Sequence, residues 1–216
     1  MKKISVIMAS YLGYYPNRSS DPEQKFIRAV KSFITQPYEN KELIIVSDGC
    51  NVTNNLYEQI FKNFTNIKLV KIPKQEIYSG ECRNASIRIA SGDIICYLDN
   101  DDVFGKNHLQ LISEQFTDDV DLVYYDDYLV LSHDFKKLQK RLVETRYGSI
   151  GTSSISHKNL NNIKYRHIKN WWTSGYGHDY VFLSSLIVNG LQFKKLAKSP
   201  QYLVCHYGSG INGGDF

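Results

Sequence analysis

The run Asp99-Asn100-Asp101-Asp102 places three carboxylates within four residues, directly after an apolar segment at 93–98. In extended backbone, residues two apart point to the same side, so Asp99 and Asp101 can face one ligand together. Hard carboxylate oxygens suit Mg or Mn, ions that keep coordination positions open for phosphate oxygens. The bland alternative is a solvated acidic turn. A second group is Gly80-Glu81-Cys82-Arg83-Asn84-Ala85. An arginine near a helix start adds a planar cation to helix-end N–H groups, which suits a diphosphate.

These groups need elements that bring them together, and the first half of the chain alternates strand and helix patterns. A strand is predicted at 4–8. Asp21-Pro22-Glu23 then offers an N-cap, a proline at the first helical position and an acidic first turn. Phe26, Ala29, Val30, Phe33 and Ile34 keep helical spacing, and Pro37 ends that helix. Further strands are predicted at 43–46, 67–72 and 93–98, with helices marked by Leu56, Tyr57, Ile60, Phe61 and Phe64 and by residues 84–90. This alternation predicts an α/β fold, Rossmann-like, with a mostly parallel central sheet covered by helices on both faces. Ligands of such sheets bind beyond the carboxyl ends of the strands. Three strands end there in polar residues: Ala9-Ser10-Tyr11, Ser47-Asp48-Gly49 and Asp99-Asn100-Asp101.

After residue 105 the pattern weakens. A helix is predicted around Leu109, Ile112 and Phe116, then apolar runs at 120–125 and 128–131 with Asp126-Asp127 as a turn between them. The basic segment 136–141 reads as a solvated helical face, with contact to an anionic membrane surface as a second reading. Residues 148–162 show no strong periodicity. A last helix starts near His178-Asp179 and a late strand occupies 202–206. No repeat or linker divides the chain, so a single domain, 1–216, is predicted, with halves at 1–105 and 106–216.

The run 5–11, then Glu42-Leu43-Ile44-Ile45-Val46-Ser47-Asp48-Gly49, then Arg83-Asn84 through Ser91-Gly92-Asp93 to the acidic cluster strongly resembles family 2 glycosyltransferases of the GT-A fold. The resemblance covers roughly the first 105 residues and meets a later match in Gly175-Tyr176-Gly177-His178-Asp179. It implies that Ser10 and Tyr11 border a nucleobase pocket, that Asp48 accepts a hydrogen bond from the base, and that Arg83 lies near the diphosphate. Asp99, with Asn100 beside it, would contact ribose or a metal-bound water, and Asp101 would ligate a divalent metal, Mn or Mg. His206 resembles a histidine that completes the metal site in some members; taken alone, it reads as a packed histidine. Asp179 would be the catalytic base of an inverting transfer from a nucleotide-sugar donor, UDP-linked by resemblance, to a glycan or lipid-linked saccharide acceptor in cell-surface polysaccharide synthesis. Two departures stand out. His178 replaces the family's usual Glu before the base, and the arginine that often follows the base is absent from 180–187.

Trp171 and Trp172 lie just before Asp179, and an indole can stack on a pyranose while its N–H stays free for a hydroxyl. One is expected at the acceptor site, with Tyr176 and His178, and the other in the core. Gly208-Ser209-Gly210-Ile211-Asn212-Gly213 matches a dinucleotide-binding spacing, but only three residues follow, too few for the required helix. That tail reads as flexible or as a lid over bound nucleotide. Alternative functions on the same residues are a sugar nucleotidyltransferase, whose Gly-rich, Arg-containing loop after the first strand is missing here, and a non-catalytic nucleotide- or sugar-binding module.

Composition narrows the classes further. The chain of 216 residues is 42% apolar and 22% charged with net charge +4, which excludes disorder and a dedicated nucleic-acid binder. No apolar run approaches the roughly 20 residues of a membrane-spanning helix. Four cysteines, none in a CxxC pair, are too sparse for a disulfide framework and read as reduced thiols of a cytoplasmic protein, at most peripheral at the inner face of the membrane. Sixteen tyrosines supply rings with polar tips, and Tyr124, Tyr125 and Tyr128 would suit a sugar-lined cleft.

Overall fold

Residues 1–15, 20–75, 79–160, 163–165, 177–198 and 201–205 are described in the computed structural model of the chain. The apolar run Ile4–Ser10 forms β1, and Lys41–Asp48 (β2) and Ile67–Ile72 (β3) add parallel strands on one side. Ile94–Tyr97 (β4) pairs in parallel on the other side. β1 and β2 read as near-continuous apolar runs because both of their faces are covered. Alternate residues divide between those faces. Val6, Met8, Leu43 and Ile45 pack with Phe26, Val30 and Phe33 of α1 (Pro22–Ile34), while Ile44 and Val46 pack with Cys82 and Ala85 of α3 (Gly80–Ile89). Between β2 and β3 runs α2 (Asn51–Leu56), prolonged by a π-helical turn at Tyr57–Phe61.

The second half supplies short elements: β5 (Val103–Phe104), α4 (His108–Ser113), β6 (Leu122–Tyr124), β7 (Asp127–Val130), β8 (Leu138–Arg141), β9 (Ile155–Lys158), α5 (His178–Val188), β10 (Phe193–Lys195) and β11 (Tyr202–Val204). Among the described residues the central sheet has seven strands in the order β10-β6-β9-β4-β1-β2-β3, and a second sheet runs β5-β11-β7-β8. Within the central sheet β9 alone is antiparallel, to both β4 and β6. The mixed α/β architecture expected from the alternation is therefore present. α5 closes the face opposite α1, placing Phe182, Leu183 and Leu186 against Ile7, Ile95 and Tyr97.

Four local expectations are corrected. Asp21 stands at the start of α1 but adopts φ 53 and ψ 46, and its side chain makes no capping bond; its carbonyl accepts from Lys25 N at 3.1 Å. Asp is among the few non-glycine residues that tolerate this left-handed conformation. Asp126-Asp127 is not a turn: the chain there leaves the central sheet at β6 and enters the second sheet at β7, whose first residue is Asp127. Both acids are buried and paired: Asp127 with Arg141 (2.8 Å to Nε) and Ser154, Asp126 with Lys140 (3.1 Å) and Lys195 (2.9 Å). The basic segment 136–141 is accordingly no helical face; 138–141 is strand β8, and two of its cations neutralise those acids. Residues 148–162, without periodicity, contain a 3₁₀ turn at Thr152–Ser154 and β9, a strand in the interior of the central sheet.

All four cysteines are buried free thiols, and burial pushes Cys82, Cys96 and Cys205 up to about 12. Tyr125 is wholly buried with its hydroxyl donating to Ser153 O at 3.0 Å, so it belongs to the core and not to a cleft. Among the described residues, no helix is long and apolar enough to cross a membrane.

Candidate active site

Parallel pairing brings the carboxyl ends of β1, β2 and β4 side by side: Ser10 lies opposite Ser47, and Leu98 N donates to Ile7 O at 3.0 Å. Ser10 is buried, its hydroxyl 2.9 Å from that of Thr53. Asp48, 6% exposed, accepts from Lys74 Nζ at 2.9 Å and from Gln75 N at 2.6 Å. The Lys74 ammonium also lies 4.5 Å from the centroid of the Tyr11 ring, a cation–π distance. Gly49 permits this fold-over. It has φ +60, and a Cβ there would come within 2.7 Å of Lys74 N. Ser10, Tyr11 and Asp48 are thus neighbours as expected. Lys74 was not foreseen, since nothing distinguishes it in sequence from the nearby Lys68 and Lys71.

Arg83 occupies the first turn of α3 and is only 6% exposed. Its Nη2 lies 3.3 Å from Asp99 Oδ1, at the end of β4, and its Nη1 lies 3.2 Å from Asp179 Oδ1, in the first turn of α5. Residues 83, 99 and 179, far apart in the chain, therefore meet at one guanidinium. The Tyr165 ring centroid lies 5.4 Å from Arg83 Cζ. His178 Nε2 is 2.8 Å from Arg83 Nη1 and 2.9 Å from Asp179 Oδ1. One ring nitrogen cannot accept from the guanidinium and donate to the carboxylate at once, so its tautomer decides which neighbour it serves.

Thr152, in the 3₁₀ turn before β9, donates its hydroxyl to Asp179 Oδ1, and the Tyr165 hydroxyl donates to Thr152 Oγ1 at 3.1 Å. Burial alone would raise the Asp179 carboxyl. The His178 hydrogen bond, the Arg83 charge and the Thr152 hydroxyl outweigh it and hold Asp179 far below the usual carboxylate range. Arg83 is pushed higher still: burial would lower it, but Tyr165, Asp179 and Asp99 more than compensate. Thr152 and Tyr165 were missed because their segments carry no periodic pattern.

The acidic turn has an inner and an outer part. Asp102 is buried, accepts from Cys205 N at 2.8 Å, and its carboxyl is raised well above the usual range by burial and by the charges of Asp101 and Asp99. It ties the turn to the end of β11. Asp99 is half-exposed, with its backbone N donating to the Tyr202 hydroxyl at 3.0 Å; Asn100 and Asp101 are half-buried, and Arg28 donates to Asp101 O at 3.1 Å. Among the described residues no group of three or more His, Cys, Asp or Glu forms a metal cage. The carboxylates of Asp101 and Asp99, hard oxygen donors whose charges bear on the buried Asp102, fit in chemistry an open Mg or Mn site completed by phosphate oxygens. His206, Trp171, Trp172, Tyr176 and the glycine-rich tail at 208–213 lie outside the described residues. His178 is described and stands against Asp179 and Arg83, so it belongs to the centre of the site.

The sequence matches the model of glycosyl transferase family 2 over residues 5–172, and the chain belongs to that family. Its fold is of the GT-A type. A crystal structure of residues 1–349 of TarS from S. aureus superposes with TM-score 0.70 at 15% identity, covering 94% of this chain and 60% of that one. A mannosyltransferase from Pyrobaculum calidifontis, solved with GDP-Man and Mn2+, gives TM-score 0.64 at 12% identity over 98% of this chain and 58% of that one. In sequence, the chain is 32% identical over 117 residues to WcaA of Escherichia coli K12, a glycosyl transferase named for colanic acid biosynthesis, covering 50% of this chain and 39% of WcaA. It is 27% identical over 122 residues to WfgD of Escherichia coli, a UDP-Glc:alpha-D-GlcNAc-diphosphoundecaprenol beta-1,3-glucosyltransferase, covering 56% of this chain and 44% of WfgD. The chain thus spans less than half the length of these two relatives.

Proposed function

We propose that the chain is an inverting, metal-dependent glycosyltransferase that moves a sugar from a nucleotide-sugar, UDP-linked as in the name of WfgD, to a hydroxyl of a glycan or lipid-linked saccharide in cell-surface polysaccharide synthesis. The observation that carries this reading is the buried Arg83 guanidinium held between Asp99 and Asp179 at the carboxyl end of the sheet. Residues 1–105 take the donor, and 106–216 supply the base and the acceptor side.

Tyr11, Asp48 and Lys74 offer a ring face, an acceptor and a cation to a nucleobase, with Ser10 at the pocket floor. Asp99 and Asn100 face the ribose. Arg83 offers its charge to the diphosphate, whose leaving oxygens gain negative charge as the bond to the sugar breaks. A divalent ion held by Asp101, with Asp99 beside it and His206 as a further candidate ligand, would supply additional charge stabilisation to the same oxygens. Asp179 accepts the proton of the acceptor hydroxyl while that oxygen bonds to the anomeric carbon. The acceptor oxygen attacks from the face opposite the diphosphate as the electron pair of the breaking C–O bond leaves with the nucleoside diphosphate, and this in-line displacement inverts the anomeric carbon. Tyr176, His178 and one of Trp171 and Trp172 contact the acceptor. Peripheral contact with the inner membrane face, where a lipid-linked acceptor would lie, is part of this reading.

A thermal-shift screen of nucleotide sugars with and without Mn tests base, sugar and metal dependence together. Stabilisation by a UDP-sugar that requires Mn, with slow UDP release to water that Asp179→Asn abolishes, is the expected result. Mn-dependent binding without turnover across a broad donor panel would instead identify a non-catalytic module.

A further inference from the structure

Asp179 has two carboxylate oxygens, and its neighbours treat them unequally. Arg83 Nη1, the Thr152 hydroxyl and His178 Nε2 all converge on Oδ1. Among the described residues no donor is placed on Oδ2. Gly151 adjoins that oxygen: a Cβ added there would stand 3.9 Å from Oδ2, an ordinary contact distance.

Thr152 is itself held. Tyr165 donates to it, and the Tyr165 ring stacks on Phe182 at 3.7 Å and 10° while Tyr97 meets it edge-on at 6.3 Å. Burial pushes the Tyr165 hydroxyl well up, so it stays a protonated donor at neutral pH. The threonine hydroxyl, fixed by accepting from Tyr165, directs its own proton at Oδ1. Thr152 also sits in the turn that leads into β9, a strand paired on both sides inside the central sheet, which makes its backbone a rigid support.

We infer that Thr152, backed by Tyr165, is a positioning residue that fixes Asp179 through Oδ1 so that Oδ2 is the oxygen that takes the acceptor proton. This rests on the reading of Asp179 as the base. The two oxygens of a carboxylate are equivalent until something occupies one of them. Here the occupied one cannot present a lone pair to substrate, and the other can.

The test is a titration of the Asp179 carboxyl by carbon NMR on protein labelled at aspartate Cγ, with the signal assigned by Asp179→Asn. Thr152→Val removes the donor at similar volume and is expected to move the midpoint upward by about one pH unit or more. Thr152→Ser restores it, and Tyr165→Phe, which keeps the ring stack, moves it in the same direction by less. An unmoved midpoint in folded Thr152→Val overturns the inference whatever the activity. The kinetic arm follows UDP release from UDP-glucose and UDP-N-acetylglucosamine with Mn. Thr152→Val is expected to lower kcat about 10- to 100-fold with donor KM unchanged, and Thr152→Ser to recover it. Equal loss in the Val and Ser variants would mark a packing role only. If Asp179→Asn releases UDP as fast as the wild type, the base reading falls and the inference with it; loss in Asp179→Asn beside an unmoved Thr152→Val titration sinks the positioning role alone.

Discussion

Glu42, buried, and Asp179, partly buried, are both carboxylates held below their ordinary range, yet they sit at opposite ends of the central sheet and differ in how their oxygens are used. Glu42, at the amino-terminal end beside β1, accepts on Oε1 from Ser5 Oγ (2.6 Å) and from Ser91 N and Oγ (both 2.8 Å), and on Oε2 from Lys68 at 2.7 Å, with Lys3 at 3.5 Å. Burial would raise it, but these bonds bring it to about 2. Among the described residues Asp179 takes its donors, Arg83 and Thr152, on one oxygen, with His178 Nε2 beside the same atom. A depressed carboxylate is therefore not in itself a functional signal. The distribution of donors over its two oxygens separates a closed structural anchor from a group that can still act.

The largest expected effect breaks the open member. Asp179→Asn keeps the shape and loses the base, so turnover should fall about 100- to 10,000-fold, the usual range for general base catalysis. Calorimetry with UDP and Mn should show nucleotide binding retained. Unchanged turnover would make Asp179 another closed anchor. Next, Asp101→Asn should abolish the Mn dependence of UDP binding and cost about tenfold or more in affinity; an equal response to Mn in variant and wild type would move the metal elsewhere.

The closed member should respond in stability alone. A shift of Glu42 from 4.5 to about 2 corresponds to about 3 kcal/mol, so Glu42→Gln should lower Tm by about 6–12 °C while activity per folded molecule is preserved. The sign follows from the depressed folded pKa: the contribution is complete above pH 4.5 and is lost as pH falls toward about 2. Urea midpoints measured across that window should fall more steeply in the wild type than in Glu42→Gln. Parallel slopes would show that Glu42 is not what couples stability to acid.

The first half was legible because β1, β2 and β4, covered on both faces, write themselves as apolar runs that end in polar ligand groups. Arg83, Asp99 and Asp179 could each be named, but not the ion-pair network that joins them, since contacts at separations of 16 and 96 residues leave no local period. The second half resisted for physical reasons. Its strands are two to four residues long, too short for a period to accumulate, and β9 carries Ser156 and His157 wholly buried, a composition that reads as loop. The basic strand β8 misled in the same way. Its positive charge looked solvated because its acidic partners, Asp126 and Asp127, lie in a segment that read as a turn.

Those acids extend the comparison and give its smallest test. Asp126 is closed like Glu42, accepting on Oδ1 from Val143 N (2.9 Å) and Lys195 (2.9 Å) and on Oδ2 from Lys140 (3.1 Å). Lys140 is half-exposed, so its pair is screened by water and worth about 0.2–1 kcal/mol. Lys140→Gln should therefore lower Tm by only ~1–4 °C and leave UDP release unchanged. The same variant bears on membrane contact. A lysine already committed to Asp126 contributes little to an anionic surface, whereas a free one near the surface contributes about 1 kcal/mol. Co-sedimentation with phosphatidylserine vesicles should be equal for wild type and Lys140→Gln. A marked loss of pelleting in the variant would mean that Lys140 leaves Asp126 for the membrane, and Asp126 would then belong with Asp179 among the carboxylates kept available.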